Sequence, residues 1–370
     1  MAGIYIHIPF CSSKCRYCDF TSYPGKIGFA DAYMACVYKE MKLRSSELKN
    51  KTFDTVYIGG GTPSVIDAKW IVGCMNQIRA CYTLAPDAEV TIEMNPGTVT
   101  EEKIRTYKRA GVNRFSIGLQ TAIDAQLEEL GRRHTAADFV EACRLLGDVN
   151  KSADIMIGLK GQTSGDIRKS IDLAAEQGVS HISMYALTPE DGTPIYTDYL
   201  NGELPDADEV AALYDSARTY LKQLGFERYE VSNFAKKGFE ARHNLNYWRR
   251  GEYIGFGVDA SSFMCNRRFT NTRDLDDYIK CILSDHYPVV SDEEITGEDA
   301  KFEKVMLALR TEEGLDIAAY RREFGSEFVL DFEAALVKNK EYFDLVGGKR
   351  VKIKDEYLYV QNHILMDFLK

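Results

Sequence analysis

Ile4-Tyr-Ile-His-Ile8-Pro-Phe-Cys11-Ser-Ser-Lys-Cys15-Arg-Tyr-Cys18 is the stretch from which the rest of the chain can be read. Its first half alternates Ile with other residues at a period of two, the pattern of a β-strand. Its second half places three cysteines within eight residues, directly after that strand. Six more, Cys36, Cys74, Cys81, Cys143, Cys265 and Cys281, lie scattered among apolar neighbours and read as small buried hydrophobes. The N-terminus lacks the basic start and cleavage site of a signal peptide, so all nine cysteines are expected to stay reduced in the cytoplasm.

Three thiolates on one short loop can converge on a single metal centre. Structural zinc takes four ligands, usually from two separated pairs, and no second pair exists here. Alternation places His7 on the same strand face as Tyr5, which makes it a poor fourth ligand. Three ligands suit a cubane [4Fe–4S] cluster with one iron left open, whereas four cysteines would give a closed electron-transfer centre. An open iron can be chelated by the amino and carboxylate groups of a small molecule. A zinc-stabilised structural protein stays as an alternative and predicts a colourless preparation with stoichiometric zinc.

Downstream, β-rich runs recur at Thr55–Ile58, Glu89–Glu93, Arg114–Ile117, Asp154–Ile157 and His181–Tyr185. Helix-period segments separate them near 30–49, 67–81, 100–110, 136–147 and 165–177, with another near 207–224. Six alternations of strand and helix predict an α/β fold with a parallel sheet and crossover helices. Near-continuous apolar strands suggest burial on both faces, as in a barrel or a doubly wound sheet. The expected domains are 1–225, this barrel-like unit; 226–300, an irregular, aromatic accessory region; and 301–370, a small α+β unit. Its helices are expected at Phe302–Leu309 and Ile317–Phe324, with a wing-like hairpin from 350–354 and 357–360 and a closing helix.

The chain has 370 residues, a prior of two to three domains, and enough length to bury a core without cross-links. Hydrophobic residues at 45% and charged residues at 28% exclude wholesale disorder and fibrous architectures. No apolar run reaches the ~18 residues of a membrane span. The net charge of −10 is carried by residues 187–300, while 1–186 is nearly neutral. Such a region repels phosphate backbones, so nucleic acid is not expected as a partner, and a solvated face is the plain account of it.

Gly59-Gly-Gly-Thr62-Pro-Ser64 follows the second strand and permits close backbone approach to a ligand. It lacks the Gly-Lys-Ser/Thr ending of a phosphate-binding loop. Glu93, Ser116, Gln120 and Asp154 fall at strand ends or just beyond them, where barrel-like folds carry functional groups. Gly255-Phe-Gly-Val-Asp-Ala260 formally fits a dinucleotide fingerprint but lacks the strand–turn–helix unit, so a tight turn is expected there.

The Cys-x3-Cys-x2-Cys spacing, with Tyr17 before the third cysteine, resembles the motif of radical S-adenosylmethionine (SAM) enzymes. Tyr5-x-His7-Ile-Pro-Phe-Cys11, the Gly59–Ser64 run, Glu93-x-Asn95-Pro96-Gly97, Arg114-x-Ser116-x-Gly118-x-Gln120, Leu130-Gly-Arg132-x-His134 and Asp154-x-x-x-Gly158-Leu together resemble the oxygen-independent coproporphyrinogen III oxidase group. The resemblance runs over nearly the whole chain and implies a three-quarter (β/α)6 barrel. It also implies Cys11, Cys15 and Cys18 on a [4Fe–4S] cluster, and SAM contacts from Tyr5, Tyr17, Gly60, Gly61, Thr62, Glu93, Gln120, Arg132 and Asp154. Arg132 suits a carboxylate through its forked donors. Lys160 departs from the group's usual proline.

Within that group, Phe20 stands where the oxidases carry a fourth cysteine, and only ten residues precede Cys11 where they carry a long extension. His243-Asn-Leu-Asn-Tyr247-Trp248 is similar to a His-Asn-x-x-Tyr-Trp motif of the group's heme chaperone branch. Imidazole is a common axial heme ligand, and Tyr247 and Trp248 offer flat apolar faces. Taken by itself, a lone histidine is more often a satisfied hydrogen-bonding residue. No Cys-x-x-Cys-His attachment motif is present. The resemblance therefore implies a heme chaperone holding heme, the cluster and SAM. It would pass heme to acceptors such as membrane-bound respiratory enzymes, with possible homodimerisation. The alternative is a coproporphyrinogen III dehydrogenase that cleaves SAM to start oxidative decarboxylation.

Overall fold

The computed structural model describes residues 1–369. Six parallel strands run side by side in chain order: β1 (Ala2–Ile8), β2 (Thr52–Gly60), β3 (Thr83–Met94), β4 (Arg114–Gln120), β5 (Asn150–Ile157) and β6 (His181–Ala186). Helices Ala30–Arg44, Ala68–Cys81, Glu101–Ala110, Ala136–Leu146 and Ser164–Glu176 make the crossovers. Each strand alternates. Ile4, Ile6, Val56, Ile58, Ile92 and Phe115 are buried on the helix-covered face. Tyr5, His7, Tyr57, Glu93, Arg114 and Asp154 share the opposite, concave face. As expected, the strands are buried on both faces, every residue of Arg114–Gln120 included; one of those faces is polar, and it is the face that carries the chemistry.

Residues 226–300 are not irregular. They supply β7 (Glu227–Arg228), β8 (Asn233–Ala235), β9 (Glu252–Phe256), β10 (Ser261–Met264), β11 (Arg267–Asn271) and β12 (Val289–Glu294). All join the main sheet, whose order is β12-β11-β10-β9-β1-β2-β3-β4-β5-β6-β8-β7. β9 pairs parallel to β1, Ala2 with Glu252 and Tyr5 with Gly255, and so continues the sheet past its first strand. Gly255–Ala260 forms the end of β9 and the turn into β10. A Cβ at Gly255 would lie 2.3 Å from the Ser261 carbonyl oxygen, so the glycine there serves close packing, as expected of a turn.

A buried acid fastens this addition to the N-terminal half. Glu40, fully buried on helix Ala30–Arg44, accepts hydrogen bonds from the Gly257 N–H (2.9 Å), Asn271 Nδ2 (2.8 Å) and the Tyr278 hydroxyl (2.7 Å). Arg44 lies 3.7 Å away. Removing the carboxylate strands three donors, and Glu40→Ala is expected to cost about 3 kcal/mol. That would appear as a lowered denaturant midpoint at unchanged slope.

A second core, including Leu309, Tyr320, Phe328, Phe332, Ile353 and Phe368, belongs to the C-terminal unit. Its helices Gly297–Ala308 and Ile317–Phe324 lie where expected, the first beginning a few residues earlier. The hairpin differs: Arg350–Ile353 pairs with Phe343–Val346, not with 357–360. Gly347 and Gly348, both at positive φ, make the turn. Residues 357–360 form a turn, and Tyr359 stacks on Tyr214 with ring centres 4.2 Å apart. Several acids of 187–300 sit at helix N-termini, where the helix dipole favours them: Asp206 accepts from the Glu209 N–H, and Asp274 from those of Asp276 and Asp277. Among the described residues no helix is long and apolar enough to cross a membrane.

Candidate functional site

The cysteine loop closes over the C-terminal ends of β1 to β6 and roofs a cavity of about 540 Å³. Cys11, Cys15 and Cys18 all line it, as do Tyr17, Gly60, Gly61, Thr62, Glu93, Gln120, Arg132 and Asp154. Eleven residues drawn from five strands and their loops thus meet in one place. Tyr5 does not join them: its hydroxyl bonds His7 Nδ1 (3.0 Å), and its ring lines a separate cavity. Lys160 stands in solvent, paired with Glu203 at 2.6 Å.

All nine cysteines are free thiols. Cys265 is exposed, and Cys81 and Cys281 are half-buried, which corrects their reading as interior residues. Around one zinc, thiolates 2.3 Å from the metal would lie about 3.8 Å apart. Among the described residues no three His, Cys, Asp or Glu side chains are so gathered. A cubane places each thiolate on a different iron and so needs them on one loop but spread apart. Burial pushes the Cys11 and Cys18 thiols up, and neighbouring thiols add to it. A cationic centre would replace those protons.

The glycines below the loop have steric reasons. A Cβ on Gly61 would lie 2.8 Å from the Phe10 carbonyl oxygen and 3.0 Å from Cys11 Sγ. Gly60, at φ +114°, would meet the His7 ring at 2.7 Å. Its N–H donates to Glu93 Oε2 (3.1 Å), and the Tyr57 hydroxyl donates to Oε1 (2.7 Å). Burial, with Asp154 adding to it, pushes the Glu93 carboxyl up to about 7. Asp154 is also raised by burial and accepts from Ser116 Oγ (3.3 Å).

Gln120 adopts φ +68° after a register shift in the β4–β5 pairing. That conformation is costly for a residue with a Cβ, and it turns the side chain into the cavity. Arg132 lies over the Tyr17 ring at 5.9 Å, and its Nε–H is buried without a partner. An orphan guanidinium donor in a cavity fits a ligand carboxylate. Arg114, 2% exposed at the base of β4, also keeps an unpaired Nε–H. The cavity suits a ligand with amino, carboxylate and hydroxyl groups. Sequence reasoning missed Tyr57, Met94, Arg133 and Tyr185 among its lining; for Tyr57, two residues before Gly59 on an alternating strand, the signal was present.

Residues 5–174 match the model of the Radical SAM superfamily, and residues 295–342 that of the HemN C-terminal domain. A heme chaperone HemW of Mycobacterium tuberculosis (strain H37Rv) is 35% identical over 325 residues, 85% of this chain and 83% of that protein. The chain belongs to the HemW family of the radical SAM superfamily. A HemW of Bacillus subtilis is 34% identical over 88% of this chain and 87% of its own, and one of Escherichia coli 38% over 70% and 69%. The coproporphyrinogen III oxidase (HemN) of Escherichia coli superposes with a TM-score of 0.87 at 19% identity, covering 99% of this chain and 89% of that one. The fold is shared with that enzyme.

The residues of the family's His-Asn-x-x-Tyr-Trp motif lie away from the cysteine loop, on helix Arg242–Trp248. Glu89 holds the start of that helix, accepting from the N–H groups of Arg242 and His243 (3.1 Å each). His243 is 1% exposed and packs into the concave face, stacked on Tyr57 with ring centres 5.2 Å apart. Thr55 Oγ1 bonds its Nδ1 and the Tyr247 hydroxyl its Nε2, both at 2.7 Å. Burial lowers its pKa to about 3, so the ring is neutral. Both nitrogens are engaged in hydrogen bonds. Trp248 is half-buried at the helix end.

Proposed function

We propose that this protein is a heme chaperone that binds heme, a [4Fe–4S] cluster and SAM, and transfers heme to acceptor proteins such as membrane-bound respiratory enzymes. The observation that carries this reading is about 35% identity to heme chaperones over most of both chains, against 19% to an oxidase of the same fold. Phe20, 67% exposed at the mouth of the cavity, supports it, because the oxidase pattern has a thiol there. We read the six parallel units as a three-quarter (β/α)6 barrel.

Cys11, Cys15 and Cys18 would hold the cluster, which supplies one-electron chemistry when bound. The backbone at Gly60 and Gly61 would approach the methionine part of SAM. Arg132 would pair with its carboxylate, and Glu93, Gln120 and Asp154 would take its ammonium and hydroxyl groups. Tyr57 orients Glu93 from below and Tyr17 covers Arg132. Homodimerisation and a cytoplasmic site of action beside a membrane acceptor belong to the same reading.

The test is an anaerobic heme titration of the cluster-reconstituted protein, followed by Soret absorbance, and then transfer to an apo-acceptor. Saturation near one heme per chain, with transfer, is expected. Absence of saturable binding together with SAM-dependent protoporphyrinogen formation would replace the reading with that of an oxidase.

A further inference from the structure

Arg16 stands on the cysteine loop between Cys15 and Tyr17, tied by its backbone and its side chain alike. Its N–H donates to the Leu130 carbonyl (3.0 Å), and its own carbonyl accepts from the Ile195 N–H (3.1 Å). Its guanidinium donates to the Glu129 carbonyl (3.2 Å) and to Asp198 Oδ1 (2.9 Å). Arg16 and Asp198 are both half-buried. These partners come from two segments outside the loop. Glu129 and Leu130 lead into Gly131 and Arg132, and Ile195 and Asp198 lie on helix Pro194–Leu200.

That helix belongs to a strap, residues 187–203. The strap leaves β6 with the Leu187 N–H on the Ile157 carbonyl (2.8 Å), and Leu187, Thr188 and Glu190 then line the cavity under the cysteine loop. Pro194 has no N–H, so Ile195 carries the next unpaired donor of the helix start, and the Arg16 carbonyl takes it. The strap ends at Glu203, which pairs with Lys160, the residue that departs from the group's usual proline. A cavity of about 240 Å³ separates strap from barrel here, lined by Arg16, Leu130, Lys160, Leu187, Ile195 and Asp198. Dispersion contacts are lost across such a gap, so the polar contacts of Arg16 carry the connection. On the other side Gly131, at φ +73°, brings its backbone against the loop. A Cβ there would lie 3.5 Å from Arg16 N and 3.8 Å from Cys15 Cα.

We propose that Arg16 is a positioning residue that locks the strap, the cysteine loop and the Gly131–Arg132 turn into one unit, with its ion pair to Asp198 as the latch. The proposal rests on the reading above, in which this loop holds the cluster and Arg132 takes the SAM carboxylate. A ligand that chelates the open iron and also pairs with Arg132 needs the loop and the turn at one fixed spacing. Releasing the latch loosens the loop at Cys15 and the turn at Arg132 together, so cluster retention and SAM affinity fall together.

The experiment compares the full-length, cluster-reconstituted wild type with Arg16→Met, Arg16→Lys, Asp198→Ala and the Arg16→Met, Asp198→Ala double variant. Arg144→Met, which removes an exposed ion pair with Glu141 elsewhere, is the control. Iron release to a ferrous chelator and SAM titration are followed, and a thermal melt of each cluster-free chain checks the fold. Arg16→Met and Asp198→Ala are each expected to speed iron release and weaken SAM binding about fivefold. The double variant should do no more than either single one, Arg16→Lys should recover most of the loss, and Arg144→Met should match the wild type. Unchanged release and affinity in both single variants, additive effects in the double variant, a lysine no better than methionine, or faster release at unchanged SAM affinity overturns the latch and leaves the cluster reading standing. A wild type that takes up no cluster overturns that reading itself.

Discussion

Cys15→Ala is expected to leave a folded chain that holds no iron–sulfur cluster. Cys15 is half-buried on the loop, whereas Cys11 is buried among Phe10, Gly61 and Thr62 and contributes to packing as well. Removing one Sγ at position 15 therefore alters stability by well under ~1 kcal/mol. Its effect on the metal centre is total in comparison. A cubane with one iron already open has no spare protein ligand, and the residue that could substitute by position is Phe20, which has no donor atom. After anaerobic reconstitution the wild type should carry about four irons and four sulfides per chain with a brown charge-transfer band. The variant should carry almost none, with a melting temperature within a few degrees of the untreated wild type. Full iron content in Cys15→Ala would sink the assignment of the cluster to this loop. Stoichiometric zinc in a colourless wild type would sink it in a different way.

The parts of the site that were legible in the sequence are those encoded locally. The thiol spacing, the Gly59–Ser64 run, Glu93 and Gln120 at the ends of their strands, and Asp154 within Asn150–Ile157 are each placed by the strand they stand on or follow. The structure gathers them in one cavity. The parts that were illegible depend on pairings between distant segments. Nothing local in Glu252–Phe256 says that it will lie parallel to Ala2–Ile6, some 250 residues away. β-propensity is a weak guide to which neighbour a strand chooses. The buried Glu40 was invisible for the same reason, since its three donors come from residues 257, 271 and 278. His243 was singled out by its motif, and its burial follows from Glu89 fixing the helix and from Gly3 leaving room for the ring. The alternation Ile4-x-Ile6-x-Ile8 did contain the polar concave face. Tyr5, His7, Arg114 and Asp154 are the residues that distinguish the two faces.

Glu93→Gln should separate stability from ligand binding, moving them in opposite directions. Burial and the neighbouring Asp154 raise this carboxyl to about 7 in the folded protein, against an ordinary value of 4.5. A raised acid binds its proton more tightly folded than unfolded. Its contribution is therefore a penalty that is absent below pH 4.5, grows between 4.5 and 7, and is constant above. Gln at this position removes the charge, so at pH 8 the variant is expected to be more stable than the wild type by of order 2 kcal/mol, and at pH 4 no different. The Gly60 N–H still finds the amide oxygen, and the Tyr57 hydroxyl, which donates to the other carboxylate oxygen in the wild type, can turn to accept from the amide NH2. Binding follows the other sign: the ammonium and sulfonium charges of SAM favour the ionised carboxylate, so affinity should fall about tenfold between pH 8 and pH 6 in the wild type. In the variant affinity should be weaker at pH 8 and flat with pH. Calorimetric titration at the two pH values, beside urea unfolding of the same samples, reads both. A variant less stable than the wild type at pH 8, with unchanged SAM affinity, would mean that Glu93 is a structural acid held by Tyr57 and Gly60. A variant that gains stability and loses the ligand would mean that the fold carries this buried charge for the sake of the site.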